Sequence, residues 1–158
     1  MLLSADRILF PDADAPVAGF LQTAGDRIVA VGSGTPPGPA DEHLSGIVVP
    51  GYVDVHCHGG GGASFVTDDP DVARQVLAAH RRLGVTTMVA SLVTASLPDL
   101  TRQVAALAGR VRDRDLAGVH LEGPWLATEY HGAHDPALLA DPDLDAVEEL
   151  LRAGEGAV

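Results

Sequence analysis

The sequence predicts an α/β chain. A small β unit over residues 1–48 is followed, over residues 49–158, by three strand–helix repeats of the kind that open either a doubly wound sheet or a (β/α)8 TIM barrel. Three observations lead there. The strand-like runs after residue 48 are nearly continuous in apolar and β-branched residues, as in Val85-Thr86-Thr87-Met88-Val89-Ala90-Ser91-Leu92-Val93-Thr94, which suits parallel strands covered on both faces. Between them, apolar residues recur at helical spacing. The unusual polar residues, His56, His58 and Glu122, fall at the carboxyl ends of strands, where open doubly wound sheets and barrels alike place their sites.

Residues 1–48 read as short strands and turns. Residues 7–10 and 19–23 are candidate strands, Ala24-Gly25-Asp26 is a turn, and residues 27–32 return as the second arm of a hairpin. Residues 32–39 are a loop by composition. Such a unit is too short to bury a core by itself.

Ile47-Val48-Val49 then leads through Pro50 and Gly51 into a buried strand that stops at Gly59-Gly60-Gly61-Gly62. Successive strand side chains point to opposite faces, so His56 and His58 share a face and Cys57 points away. Two imidazoles on one face can grip a metal ion, and their neutral nitrogens suit zinc, iron or a similar ion. Cys57 is expected to be a small buried hydrophobe. The glycines, lacking Cβ, allow positive φ or a close approach of backbone to a ligand.

Asp69 as N-cap and Pro70 at the first helical position open a helix that Gly84 ends. Val72, Ala73, Val76, Leu77, His80 and Leu83 fall at helical spacing, with His80 expected to be partly buried or at the surface and not a ligand. Residues 85–94 are the second strand. Ser96 with Asp99 resembles a capping box, and Leu97, Leu100, Val104, Leu107 and Val111 make the stripe of the second helix. Residues 116–122 are the third strand, broken by Gly123-Pro124. A long loop runs to about Ala140, and Asp141-Pro142 opens a third helix with Val147, Leu150 and Leu151 facing inward. Repeated βα units imply parallel strands with right-handed crossovers. The chain stops where a fourth strand would begin, whereas a complete barrel takes roughly 250 residues. It is therefore expected to be a truncated part of a larger enzyme.

Bulk composition excludes several classes. The 158 residues are 46% hydrophobic and 20% charged, which is globular. A formal charge of −12 makes a nucleic-acid surface an unsuitable reading. One cysteine rules out an internal disulfide framework and fits a reducing compartment. No basic, apolar leader stands at the N-terminus and no apolar run approaches the roughly 20 residues of a membrane span. A soluble cytoplasmic protein, free of membrane and nucleic acid, is expected.

The second dense cluster is His120-Leu121-Glu122-Gly123-Pro124-Trp125. A carboxylate ending the third strand can ligate a metal, act as acid or base, or cap the following turn. His120 shares its strand parity one layer deeper, a place for packing or for hydrogen-bonding a ligand residue. The loop Thr128-Glu129-Tyr130-His131-Gly132-Ala133-His134-Asp135-Pro136 is rich in groups that bind polar ligands; His131 and His134 are candidates for a sugar or phosphate. No P-loop and no nucleophile elbow is present, and the third glycine of a dinucleotide fingerprint falls on Ser64.

Two segments together resemble the N-acetylglucosamine-6-phosphate deacetylases of the amidohydrolase superfamily. Residues 50–62 are similar to that family's P-G-[FY]-[IV]-D-x-H-x-H-G-x-x-G opening. Residues 120–125 with Gly132-Ala133-His134-Asp135-Pro136 are similar to its H-L-E-G-P-[FW] and K-G-[AT]-H-[ND]-P. The resemblance implies a (β/α)8 barrel with a small β-sandwich built from both termini, residues 1–48 being its N-terminal portion. It implies Glu122 as principal metal ligand, His56 and His58 as ligands of a second metal where one is bound, and Ala133 (through its backbone) and His134 as substrate contacts. One or two divalent ions per site are expected, zinc first. The implied reaction is hydrolysis of the N-acetyl group of N-acetylglucosamine 6-phosphate, a small-molecule partner, by an enzyme that is a homodimer at full length. Two further histidine ligands and the catalytic aspartate are expected beyond Val158, so the isolated chain is expected to be inactive. His131 stands where many members have lysine. The alternatives are a cyclic-amide hydrolase, which commonly needs a lysine carbamate although this chain has no lysine, and a non-catalytic metal-binding or oligomerisation module.

Overall fold

The computed structural model describes residues 1–158, with Pro70 described by its backbone alone. The chain is a mixed α/β fold that divides into two compact units, Met1–Pro50 and Gly51–Val158.

The first unit is a four-stranded sheet in the order β3-β2-β1-β4, formed by β1 (Leu2–Ile8), β2 (Val17–Ala24), β3 (Arg27–Ser33) and β4 (Glu42–Val48). Its hairpin turns at Gly25, whose φ of 59° is the positive value a two-residue hairpin loop requires. The first strand begins at Leu2, earlier than the apolar cluster at residues 7–10 suggests, because its backbone pairs on both sides, antiparallel with β2 and parallel with β4. The expected run from Ile47 into the next strand is corrected here. Ile47 and Val48 end β4, beside Arg7 and Ile8, and Pro50-Gly51 breaks the chain before the next strand starts. Proline has no N–H to continue a ladder.

The second unit begins with β5 (Tyr52–Cys57). A tight hairpin of β6 (Gly59–Gly60) and β7 (Ala63–Ser64) follows. Then come α1 (Pro70–Arg81), β8 (Val85–Val93), α2 (Leu97–Arg112), β9 (Gly118–Glu122) and α3 (Leu144–Gly154). The strands form an open parallel sheet in the order β5-β8-β9. Gly51 lies so close to β8 that an added Cβ would stand 2.1 Å from Thr86 Oγ1. The core comprises Phe65, Val76, Met88, Leu92, Leu100, Val104, Leu107 and Leu150. Burying each of its large side chains contributes roughly 1.5–3 kcal/mol before the entropic cost of ordering it.

The helix starts follow local chemistry. Asp69 caps α1 by accepting from Asp71 N–H at 2.8 Å, and Ser96 caps α2 by accepting from Asp99 N–H at 3.3 Å. The third helix starts at Leu144 with Asp143 as its cap, in place of the expected Asp141-Pro142. Asp141 and Asp143 are both acceptable caps by type; the observed carboxylate reaches the Asp145 N–H. Leu150 is buried there, whereas Leu151 faces outward, as does Leu83 just beyond α1.

The strand carrying His56 is not buried as expected. Val53 and Val55 are 64% and 65% exposed. Within this unit β5 is paired along one edge only, and α1 packs on β6, β7 and β8 more than on β5 itself. Among the described residues, no helix is long and apolar enough to cross a membrane.

Candidate metal centre

Strands β5 and β9 flank β8, so side chains at their carboxyl ends can meet in front of the central strand. His56 Nε2 and His58 Nε2 are 3.1 Å apart. Glu122 Oε2 lies 3.1 Å from His56 Nε2 and 2.8 Å from His58 Nε2. All three predicted ligands are thus within reach of a common point.

The proton positions follow from the partners. His58 Nδ1 is 2.9 Å from the Ser91 carbonyl oxygen. A carbonyl only accepts, so Nδ1 carries the hydrogen, and in the neutral ring Nε2 turns a bare lone pair toward Glu122. Lone pairs of two imidazoles and a carboxylate repel unless a cation or a shared proton lies among them. Tetrahedral zinc, with bonds of about 2.0–2.2 Å, holds its ligand atoms roughly 3.3 Å apart. The donor set and its spacing therefore fit a divalent ion.

Ser91 organises this end of the sheet, a role that its residue type does not announce. Its hydroxyl accepts from Cys57 N–H at 3.2 Å and meets His120 Nδ1 at 3.0 Å, while its carbonyl holds His58. The available signal is a serine inside the apolar run Met88–Val93, directly across the ladder from His120. His120 itself packs beside His56, with ring centroids 5.2 Å apart. Cys57 is buried on the other side of β5.

The loop after β9 folds back over the site. His134 Nδ1 lies 2.7 Å from Thr94 Oγ1 and 3.3 Å from Thr94 N. A backbone N–H can only donate, so Nδ1 accepts and the neutral ring carries its proton on Nε2, 3.4 Å from Glu122 Oε1. The two carboxylate oxygens are thereby divided: Oε2 faces His56 and His58, and Oε1 faces His134. Burial would push the Glu122 carboxyl up, but the His134 hydrogen bond and the positive charge that His56 and His58 carry when protonated outweigh it and hold the carboxyl below its usual value. Thr94, buried and likewise unmarked in the sequence, directs its single hydroxyl hydrogen to His134 Nδ1 and sets the same oxygen 3.3 Å from the Glu122 carbonyl.

In front of Glu122 and His58 is a pocket of about 500 Å³, walled by Tyr130, His131, Ala133 and His134. Ala133 and His134 therefore stand where a molecule in that pocket would touch them. His131 also lines it, with its Nδ1 buried and without a hydrogen-bond partner among the described residues.

Fold and site together define an α/β protein with convergent groups able to ligate a metal at the carboxyl ends of parallel strands. No family model matches the chain. It is similar to N-acetylglucosamine-6-phosphate deacetylase from Mycobacterium smegmatis, at 51% identity and a TM-score of 0.93, covering 100% of this chain and 45% of that one. A D-to-A mutant of that enzyme, solved with N-acetyl-D-glucosamine-6-phosphate, matches with a TM-score of 0.94 over 42% of its chain. Among curated relatives, the Bos taurus N-acetylglucosamine-6-phosphate deacetylase is 35% identical over 111 residues, 66% of this chain and 27% of the relative. The chain thus spans less than half of each of these proteins, and what it is similar to is their N-terminal portion, as the sequence motifs imply.

Proposed function

We propose that His56, His58 and Glu122 hold a divalent metal ion, zinc foremost. The protein carrying them hydrolyses the N-acetyl group of N-acetylglucosamine 6-phosphate, giving glucosamine 6-phosphate and acetate. The observation that carries this reading is the convergence of three ligand atoms within 3.1 Å of one another at the mouth of a pocket. The names of the similar proteins supply the substrate class.

When bound, the ion would polarise the amide carbonyl and lower the pKa of a bound water toward about 7. The chain's own residues prepare the place. Ser91 fixes the ring of His58, and His134 holds the outer carboxylate oxygen of Glu122 so that the inner one faces the imidazoles. Ala133 and His134 offer contacts to the sugar from the pocket wall. In this reading residues 1–48 are the N-terminal portion of a β-sandwich. Residues 49–158 are the first three βα units of a (β/α)8 barrel, which puts the site at the barrel's catalytic end.

The test is zinc content and acetate release in the full-length protein, with and without Glu122→Gln. Loss of both in the variant is expected. Undiminished zinc and rate would remove Glu122 from the site.

A further inference from the structure

The carbonyl of Gly59, one residue beyond His58, is approached by two hydrogen-bond donors. His80 Nε2, on α1, lies 3.1 Å from Gly59 O, and Cys57 Sγ lies 3.4 Å from it. The carbonyl can only accept, so His80 presents Nε2–H and Cys57 its thiol hydrogen. The ring rests against Gly60, where an added Cβ would stand 2.4 Å from His80 Nε2. From the hairpin side, the His58 carbonyl accepts from Phe65 N–H at 2.9 Å and from the Ser64 hydroxyl at 3.1 Å. The backbone from His58 to Gly60 is therefore held by α1 and by the hairpin at once.

Asp54, Cys57 and His80 bring ligating atoms within 4.8 Å of one another, a spacing that could also suit an ion. The hydrogen bonds decide otherwise. Imidazole and thiol both direct a proton at Gly59, and burial pushes the Cys57 thiol up. A metal there would leave the Gly59 carbonyl without those donors.

We propose that His80 is a positioning residue for the metal centre, its Nε2–H holding the Gly59 carbonyl and so setting where His58 can place its own Nε2. This role rests on reading His56, His58 and Glu122 as a metal site. The hydrogen bond ties the strand end, through the His80 ring, to α1. Without it, His58 keeps its bond to Ser91 but loses the restraint on its following peptide.

The experiment is titration of the 158-residue protein with Co²⁺, read by visible absorption and accompanied by thermal unfolding. Wild type, His58→Ala, His80→Ala, His80→Gln and Gly60→Ala are compared. Wild type is expected to bind and His58→Ala to lose binding, which tests the metal site itself. His80→Ala is expected to bind about 10–100-fold more weakly, with altered bands. His80→Gln, whose amide N–H can reach the same carbonyl, should recover most of the affinity. Gly60→Ala, which displaces the ring while leaving His80 in place, should behave like His80→Ala, and it decides the matter if His80→Ala fails to fold. Wild-type affinity and spectrum in folded His80→Ala or Gly60→Ala overturn the positioning role and leave the metal site standing. Absence of Co²⁺ binding by the wild type, or its retention by His58→Ala, overturns the metal site and this role with it.

Discussion

His58 Nδ1 donates to the main-chain carbonyl of Ser91 across 2.9 Å, so the proton state of a candidate ligand is set by backbone from the neighbouring strand. No side-chain substitution at residue 91 removes that acceptor. What the Ser91 side chain adds is separate: a hydroxyl that serves Cys57 N–H and His120 together.

Ser91→Ala is therefore expected to leave the His58 bond in place while stranding a buried N–H and the His120 nitrogen. A lost buried partner costs about 1–3 kcal/mol. Thermal or urea unfolding should show a loss in that range; an unchanged midpoint would mean that water or a shift of β5 replaces the hydroxyl.

Gly123 has φ 95°, and an added Cβ would stand 2.0 Å from Thr94 Oγ1. Gly123→Ala is expected to destabilise by about 1–3 kcal/mol from backbone strain alone. It should also push Thr94 off His134, so zinc affinity should fall beyond what the stability loss predicts. Calorimetry of unfolding and of zinc binding on the same protein separates the two effects.

Glu122 gives a dependence on pH. Its carboxyl is held below its unfolded value, so the folded state favours the ionised form. That contribution is present above the unfolded value of about 4.3 and is lost as pH falls through the lower folded value. Metal-free wild type should therefore lose stability on acidification below about pH 4. Glu122→Gln should lack this component of the slope. Parallel slopes for the two proteins in urea titrations would contradict the assignment.

Cys57 runs the opposite way. Burial pushes its thiol up, so the folded state favours the neutral form, and this contribution fades as pH rises past the unfolded value of about 8.5. Iodoacetamide should label the folded chain far more slowly than the urea-unfolded chain at pH 8. Comparable rates would show that the thiol is open to solvent.

Local chemistry fixed much of this protein in advance. The caps Asp69 and Ser96, the stripe Leu100, Val104 and Leu107, and the shared parity of His56 and His58 depend on residues close in sequence, so they are readable from it. Glu122 was legible as a strand-end carboxylate for the same reason. Tertiary structure decided the rest. Whether β5 is covered depends on where α1 lies, and whether Asp141 or Asp143 caps α3 depends on how the preceding loop returns. The link from Ser91 to His58 and His120, and from Thr94 to His134, spans 29 to 40 residues. Serine and threonine carry no mark of such partners, because a hydroxyl's role is set by what the sheet register and the returning loop bring beside it.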